Sequence, residues 1–131
     1  SYDIALHPDF NQTKRMIDKA FNQYDNLEGL IFHSDQGWQY QMKQYGLWLK
    51  SRGIKQSFSR KGNCMDNSLM ENFFGLLKNE MYYGHEYEFK TIDDLKKTIE
   101  EYIKWYNEER INVKRKGLSP LQYRQQSLSQ L

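Results

Sequence analysis

The sequence predicts an α/β fold, rich in helix, and three observations predict it. Residues 2–6 alternate loosely in polarity and read as a short strand,. Next, Phe10, Met16, Ile17, Ala20, Phe21 and Tyr24 recur at helical spacing,. An apolar run at 30–33 follows a turn at 25–29, and its length and flanking turn residues make it a buried strand,. Strand, helix, strand is the unit of a parallel sheet, whose ligands gather beyond the carboxyl ends of its strands. Asp35 sits at such an end.

The remaining elements follow from local chemistry. His7-Pro8 ends the first strand, because the residue before proline is held extended,. Asp9 or Asn11 caps the first helix,. Gly37 breaks the chain after the second strand, and residues 39–52 read as one helix with Tyr45, Trp48, Leu49 and Arg52 on one side, stopped by Gly53,. Residues 54–57 form a weak strand, and 59–63 a basic, glycine-containing loop of the kind that moves over a substrate,. Asp66 or Asn67 caps a third helix, whose apolar side is Leu69, Phe73, Leu76, Leu77 and Met81,. Thr91 and Asp94 pair as a capping box for a long helix carrying Leu95, Ile99, Tyr102, Ile103 and Tyr106,. Pro120 opens a final helical turn in a basic tail,. A length of 131 residues makes this a single domain, divided as a core over 1–90 and a long helix with a basic tail over 91–131,.

Charge and cysteine content narrow the function. The net charge is only +2, yet Lys50, Arg52, Lys55, Arg60 and Lys61 lie in a stretch without an acid, and so do Arg110, Lys114, Arg115, Lys116 and Arg124. Two basic stretches on a near-neutral chain point to an anionic partner met at particular faces. The one cysteine, Cys64, excludes an internal disulfide and a multi-cysteine zinc site, and reads as an ordinary small residue rather than a nucleophile,. It fits a reducing cytoplasm, and no apolar run reaches the ~20 residues of a membrane span,.

The chemistry centres on two acids, Asp35 and Glu71, with 35 residues between them. That interval holds a helix and a strand, so the two carboxylates can converge. Convergent hard oxygens, with positions left for water and phosphate, suit Mg²⁺. On the third helix Asn67, Glu71, Gly75 and Lys78 share one stripe at ~100° per residue,. Such a stripe suits a phosphodiester: a metal-bound carboxylate at the reacting phosphate, an ammonium on a neighbouring one, and a glycine that lets a bulky partner approach. His33 shares the side of Asp35 in an extended chain, and the oxygen preference of Mg²⁺ makes it a supporting group rather than a ligand,. Taken singly, Glu71 and Lys78 are ordinary exposed helix residues.

Together these residues resemble the catalytic core of insertion-sequence transposases, in the superfamily with three acids, Asp, Asp and Glu, that includes retroviral integrases. The likeness rests on His33-Ser34-Asp35-Gln36-Gly37, the gap to Glu71, Asn67, Lys78, and a tail of Tyr106-Asn107, Arg110 and Gly117-Leu118-Ser119-Pro120. One departure is Asn112, where the family often has His. The resemblance implies a ribonuclease H-like (integrase core) fold and a site in which Asp35 and Glu71 are catalytic and hold metal, two Mg²⁺ (or Mn²⁺) ions in the complete domain. It implies a DNA contact by Lys78. The basic loop at Arg60 and Lys61, and Asn67 on the stripe of Glu71, are expected to meet DNA as well, and the open edges of a sheet without its central strand make self-association an expectation,. The first catalytic Asp of the family lies on a strand with no counterpart here, and Asp3 does not stand in for it. The chain is thus expected to be a core truncated at its amino end and inactive alone. Two other functions stay open: a non-catalytic nucleic-acid-binding or assembly module, and a ribonuclease H-type nuclease, which Lys78 and the tail disfavour.

Overall fold

The computed structural model describes residues 1–130; Leu131 and the side chain of Cys64, read above as an ordinary small residue, lie outside the described residues. Two compact units are present, Ser1–Glu71 and Asn72–Leu131.

In the first unit, helix α1 (Phe10–Phe21) starts where Asp9 accepts the Gln12 N–H. Thr13, Ile17 and Phe21, each four residues on, turn inward,. Strand β1 (Ile31–Ser34) pairs in parallel with β2 (Lys55–Phe58), Phe32 opposite Gln56 and His33 opposite Ser57. Between them lie α2 (Trp38–Gln41) and α3 (Lys43–Ser51). The core is Ile17, Phe21, Tyr45, Leu49 and Ile54, with Phe32 and Trp48 packed against it. Arg52 closes one side, its guanidinium 4.7 Å over the Trp48 ring and 3.1 Å from Asp18.

Three expectations for this unit need correction. Residues 2–6 are not a strand. Among the described residues they pair with no strand and lie along α1: Asp3 pairs with Arg15 (3.0 Å) and Lys19 (3.3 Å), and its carbonyl accepts from Gln12,. The single helix over 39–52 is broken at Met42, whose ψ of 131° is extended. The Tyr40 carbonyl, which would continue the helix, accepts instead from the Gln56 side chain at 2.6 Å. The strand expected to be buried is buried on one face only; Ile31 is 64% exposed.

Helix α4 (Ser68–Leu77) contains the boundary between the units and runs into a π-helical turn, Lys78–Tyr82. Neither Asp66 nor Asn67 caps it: Asn63 caps a 3₁₀ turn over Cys64–Asn67, and α4 follows from that turn. Its expected apolar side is not a core face either, since no α4 residue is buried and Leu69 is 88% exposed; only Met81, beyond it, is buried.

The second unit is built on α5 (Ile92–Glu108), which begins with the expected Thr91–Asp94 capping box. Helix α6 (Pro120–Leu128) opens on a second box, Ser119 with Gln122, and Pro120 occupies the first turn, where its missing N–H is harmless,. Glu80 accepts from Tyr102 (2.8 Å) and from Arg110 (Nε, 3.0 Å), and Arg110 lies 5.7 Å over the Tyr106 ring.

Candidate functional site

Parallel strands end at the same edge of a sheet, so the residues that follow β1 and β2 meet. Beyond that edge a cleft of about 330 Å³ is lined by Asp35, Gln36, Ser59, Arg60, Lys61, Gly62, Asn63, Asn67 and Glu71. The two carboxylates expected to converge therefore line one cleft, with Arg60, Lys61 and Asn67 around them. His33 and Lys78 do not line it.

Asp35 is exposed and held by its own turn: Oδ1 accepts the Gly37 N–H at 2.8 Å. A Cβ at Gly37 would lie 2.9 Å from Asp35 Oδ1 and 3.1 Å from the Gln39 side chain, so a larger residue there would move the Asp35 carboxylate or the Gln39 amide. The charge of Asp35 also reaches Tyr40, whose hydroxyl is pushed up by burial first and by Asp35 second. Glu71 is exposed one turn into α4.

The base of the cleft is tied to the sheet. Ser59, buried at 6% exposure, donates its N–H to the Ser34 carbonyl (2.8 Å), and its own carbonyl accepts from Gln36 Nε2 (3.0 Å). His33 bridges the strands, Nδ1 to Ser57 Oγ (3.0 Å) and Nε2 to Ser59 Oγ (3.2 Å). The Ser59 hydroxyl donates to the Ser34 carbonyl, so it offers His33 only lone pairs; Nε2 then carries the hydrogen and Nδ1 accepts from Ser57,. His33 acts on the strand ends rather than in the cleft.

The basic residues differ in what occupies them. Arg60 is engaged with Asp66 through its backbone N–H (2.9 Å), Nε (2.9 Å) and Nη2 (2.8 Å). That guanidinium holds the Asp66 carboxyl well below the usual carboxylate range. Lys61 is exposed and has no ion pair among the described residues. Lys78, in the second unit, is exposed at the start of the π-helical turn. Gly75 has open space where a Cβ would stand, so packing within the chain does not demand a glycine there. Gln36, Ser59, Gly62 and Asn63 also line the cleft without having been singled out as site residues; the sequence signal for them was the His33–Gly37 motif and the glycine-containing loop over 59–63.

The donor set suits a hard divalent cation, with two carboxylates and neutral oxygens around them. It falls short of a closed cage: among the described residues no group of three or more His, Cys, Asp or Glu side chains is placed to hold a metal ion. None of the described helices is long and apolar enough to cross a membrane.

The fold is that of an integrase core, of the ribonuclease H-like kind. The catalytic core domain of BIV integrase superposes with a TM-score of 0.66 at 17% identity, covering 95% of this chain and 78% of that one, a likeness of fold. Two integrase core domain profiles match, one over residues 1–64 and one over 71–128. An uncharacterized transposase-like protein of Haemophilus influenzae is 54% identical over 129 residues, 98% of this chain and 58% of that protein. A putative transposase of Escherichia coli for insertion sequence element IS150 is 49% identical over 97% of this chain and 44% of its own length. A probable transposase of Shigella flexneri for insertion sequence element IS1353 is 36% identical over 95% of this chain and 24% of its own length. The chain belongs to the integrase core domain family, a family that works on DNA with divalent metal, and it spans roughly a quarter to somewhat over half of these relatives.

Proposed function

We propose that this chain is part of a transposase that cuts and joins DNA at transposon ends, with Asp35 and Glu71 as two of its catalytic carboxylates. The observation that carries this reading is that Asp35 and Glu71 line one cleft at the carboxyl edge of the strands. The names of the relatives support it, since they read putative and probable transposase. Asp35 and Glu71 would hold Mg²⁺ or Mn²⁺, two ions in the complete domain, which would supply Lewis-acid polarisation of a phosphodiester and activation of water or a DNA 3′-hydroxyl. The Gly37 N–H keeps the Asp35 carboxylate turned over its own loop. Lys61 and Lys78 bind phosphates and Asn67 contributes a polar group at the cleft, so binding is strong in charge and poor in sequence information. The protein works in the cytoplasm and self-associates on DNA, a reading supported by the exposed Leu30 and Ile31 beside a two-stranded sheet with open edges,.

A second reading has its own support. In it, this chain by itself behaves as a DNA-binding or assembly module, a reading supported by a cleft whose acids are Asp35 and Glu71 and whose rim carries Arg60 and Lys61. Bringing two divalent cations together needs more negative charge than two carboxylates supply, so the chain alone neither nicks nor joins DNA at a useful rate.

The test is nicking and strand transfer on transposon-end DNA with Mg²⁺ or Mn²⁺, comparing this chain with a protein as long as its relatives. Activity should belong to the longer protein and fall by roughly 10²–10³-fold in Glu71→Gln. Robust activity of the short chain would remove the second reading; full activity of the long protein carrying Glu71→Gln would remove the first. Duplex-DNA affinity against salt tests the lysines: Lys61→Ala and Lys78→Ala each take one cation away from the phosphates and should flatten the log–log slope by about 0.9.

A further inference from the structure

The proposed site needs Asp35, which follows a strand, and Glu71, which lies on a helix, to keep a fixed separation. Metal ligands are held to sub-ångström tolerance only when the groups behind them are locked as well. One carboxylate outside the cleft is placed to supply such a lock. Asp66 stands in the 3₁₀ turn Cys64–Asn67 that leads directly into α4, five residues before Glu71, and it does not line the cleft. Its two oxygens take three hydrogen bonds from one residue, the Arg60 backbone N–H and two guanidinium nitrogens. Arg60 in turn follows Ser59, whose N–H and C=O are bonded to Ser34 and Gln36, the neighbours of Asp35 on either side.

We propose that Asp66 is a positioning residue: paired with Arg60, it ties the turn that carries Glu71 to the strand end that carries Asp35. The path of bonds is continuous from Ser34 and Gln36 through Ser59 and Arg60 to Asp66. It rests on the reading of Asp35 and Glu71 as metal ligands, and it reassigns Arg60 from phosphate binding to clamp. The planar fork of arginine matters here, since it meets both carboxylate oxygens at once while the backbone N–H meets one of them; lysine supplies the charge without the fork. The pair spans the loop over 60–66, whose tip turns at Gly62 with φ +73° and an Asn63 N–H to Arg60 C=O bond of 3.1 Å. Closing the base of this loop also sets where Lys61, at its tip, stands beside the cleft.

Three measurements on this chain test the clamp, each on Arg60→Ala, Asp66→Ala, their combination and the conservative Arg60→Lys. Thermal melts first confirm that the variants fold. Amide exchange at Asn63 and Asp66 should accelerate about tenfold in either single variant, as expected for loss of charge-assisted hydrogen bonds, and no further in the double. Mn²⁺ binding, followed by electron paramagnetic resonance, should weaken by about tenfold in either alanine variant, with no further loss in the double and partial recovery in Arg60→Lys. Duplex-DNA affinity should fall in both alanine variants by the same factor.

Each other outcome has a distinct meaning. If Asp66→Ala loses Mn²⁺ while Arg60→Ala keeps it, Asp66 is itself a ligand and the clamp is wrong. If Arg60→Ala weakens DNA binding while Asp66→Ala strengthens it, Arg60 binds phosphate under the restraint of Asp66, and the clamp is again wrong. If Asp35→Asn and Glu71→Gln leave Mn²⁺ binding unchanged, the metal-site reading fails by itself. Amide exchange then decides alone, and unchanged rates in both alanine variants sink the clamp.

Discussion

In Ser1–Glu71 five apolar or aromatic side chains, Ile17, Phe21, Tyr45, Leu49 and Ile54, form one buried cluster around which a helix pair and two strands close. In Asn72–Leu131 only Met81 and Tyr102 are buried among the described large hydrophobic residues, and Tyr102 is buried with its hydroxyl on a carboxylate. That unit relies on half-buried rings, Phe73 against Tyr106 at 4.9 Å and Tyr82 stacked on Phe89 at 6.0 Å, around the Glu80, Tyr102 and Arg110 knot. The contrast is one of shape more than size. Strands and helices that cross can enclose a dry centre, whereas about 60 residues of helix and loop bury too little area and join their elements through aromatic faces and paired charges. The first unit should thus be sensitive to removal of volume and the second to removal of charge.

The largest effect is expected from Leu49→Ala, which empties a site with 0% exposure. It should cost about 2–5 kcal/mol, read from urea denaturation with a probe in the first unit such as Trp48 fluorescence. A cost below about 1 kcal/mol would mean that the cluster is not the hydrophobic core the comparison makes it.

A smaller effect, confined to the second unit, should follow from Glu80→Gln. The substitution keeps an acceptor for Tyr102 but removes the charge that Arg110 meets, at a cost of about 1–2 kcal/mol for a partly exposed pair,. The Arg110 guanidinium holds the Glu80 carboxyl below its ordinary value of 4.5, with Tyr102 contributing. A depressed folded-state pKa means that the stabilisation is complete above 4.5 and is lost as pH falls through the lower folded value. Protection of the α5 amides in the wild type, taken relative to the intrinsic exchange rate at each pH, should therefore fall on acidification below 4.5, and the variant should show a flatter response. Equal acid sensitivity in the two proteins would show that the knot does not hold this unit.

The smallest effect has the opposite sign. Tyr45 is fully buried, and its hydroxyl has no hydrogen-bond partner among the described residues. Burial pushes that hydroxyl's pKa up, as expected for a group with no means of stabilising charge. Tyr45→Phe removes an unsatisfied polar atom and keeps the ring packing with Tyr40 and Phe32, so it should stabilise the first unit by about 1 kcal/mol in the same urea experiment,. Destabilisation of that size would reveal a partner for the hydroxyl and a core less dry than the comparison requires.

What the sequence by itself determined is what its nearest neighbours decide. The Asp9 cap, the Thr91 and Asp94 box and the role of Pro120 are interactions across three residues or fewer, so composition at those positions is enough to specify them,. The second strand lies within a residue of its expected place, and the spacing of Asp35 and Glu71 pointed to a shared cleft because a strand, a turn and a helix have fixed reach,. The tertiary structure decided whatever needed a partner far along the chain. Residues 2–6 have the pattern of a strand but, among the described residues, pair with no strand. The helix over 39–52 breaks because Gln56, sixteen residues from Tyr40, takes its carbonyl. Asp66 looks like a helix cap and serves Arg60 instead, and Leu69 has the spacing of a core residue and the exposure of a surface one. Local pattern sets what a segment is able to do; which hydrogen bonds it makes, and what covers its apolar face, depend on the groups that folding brings against it.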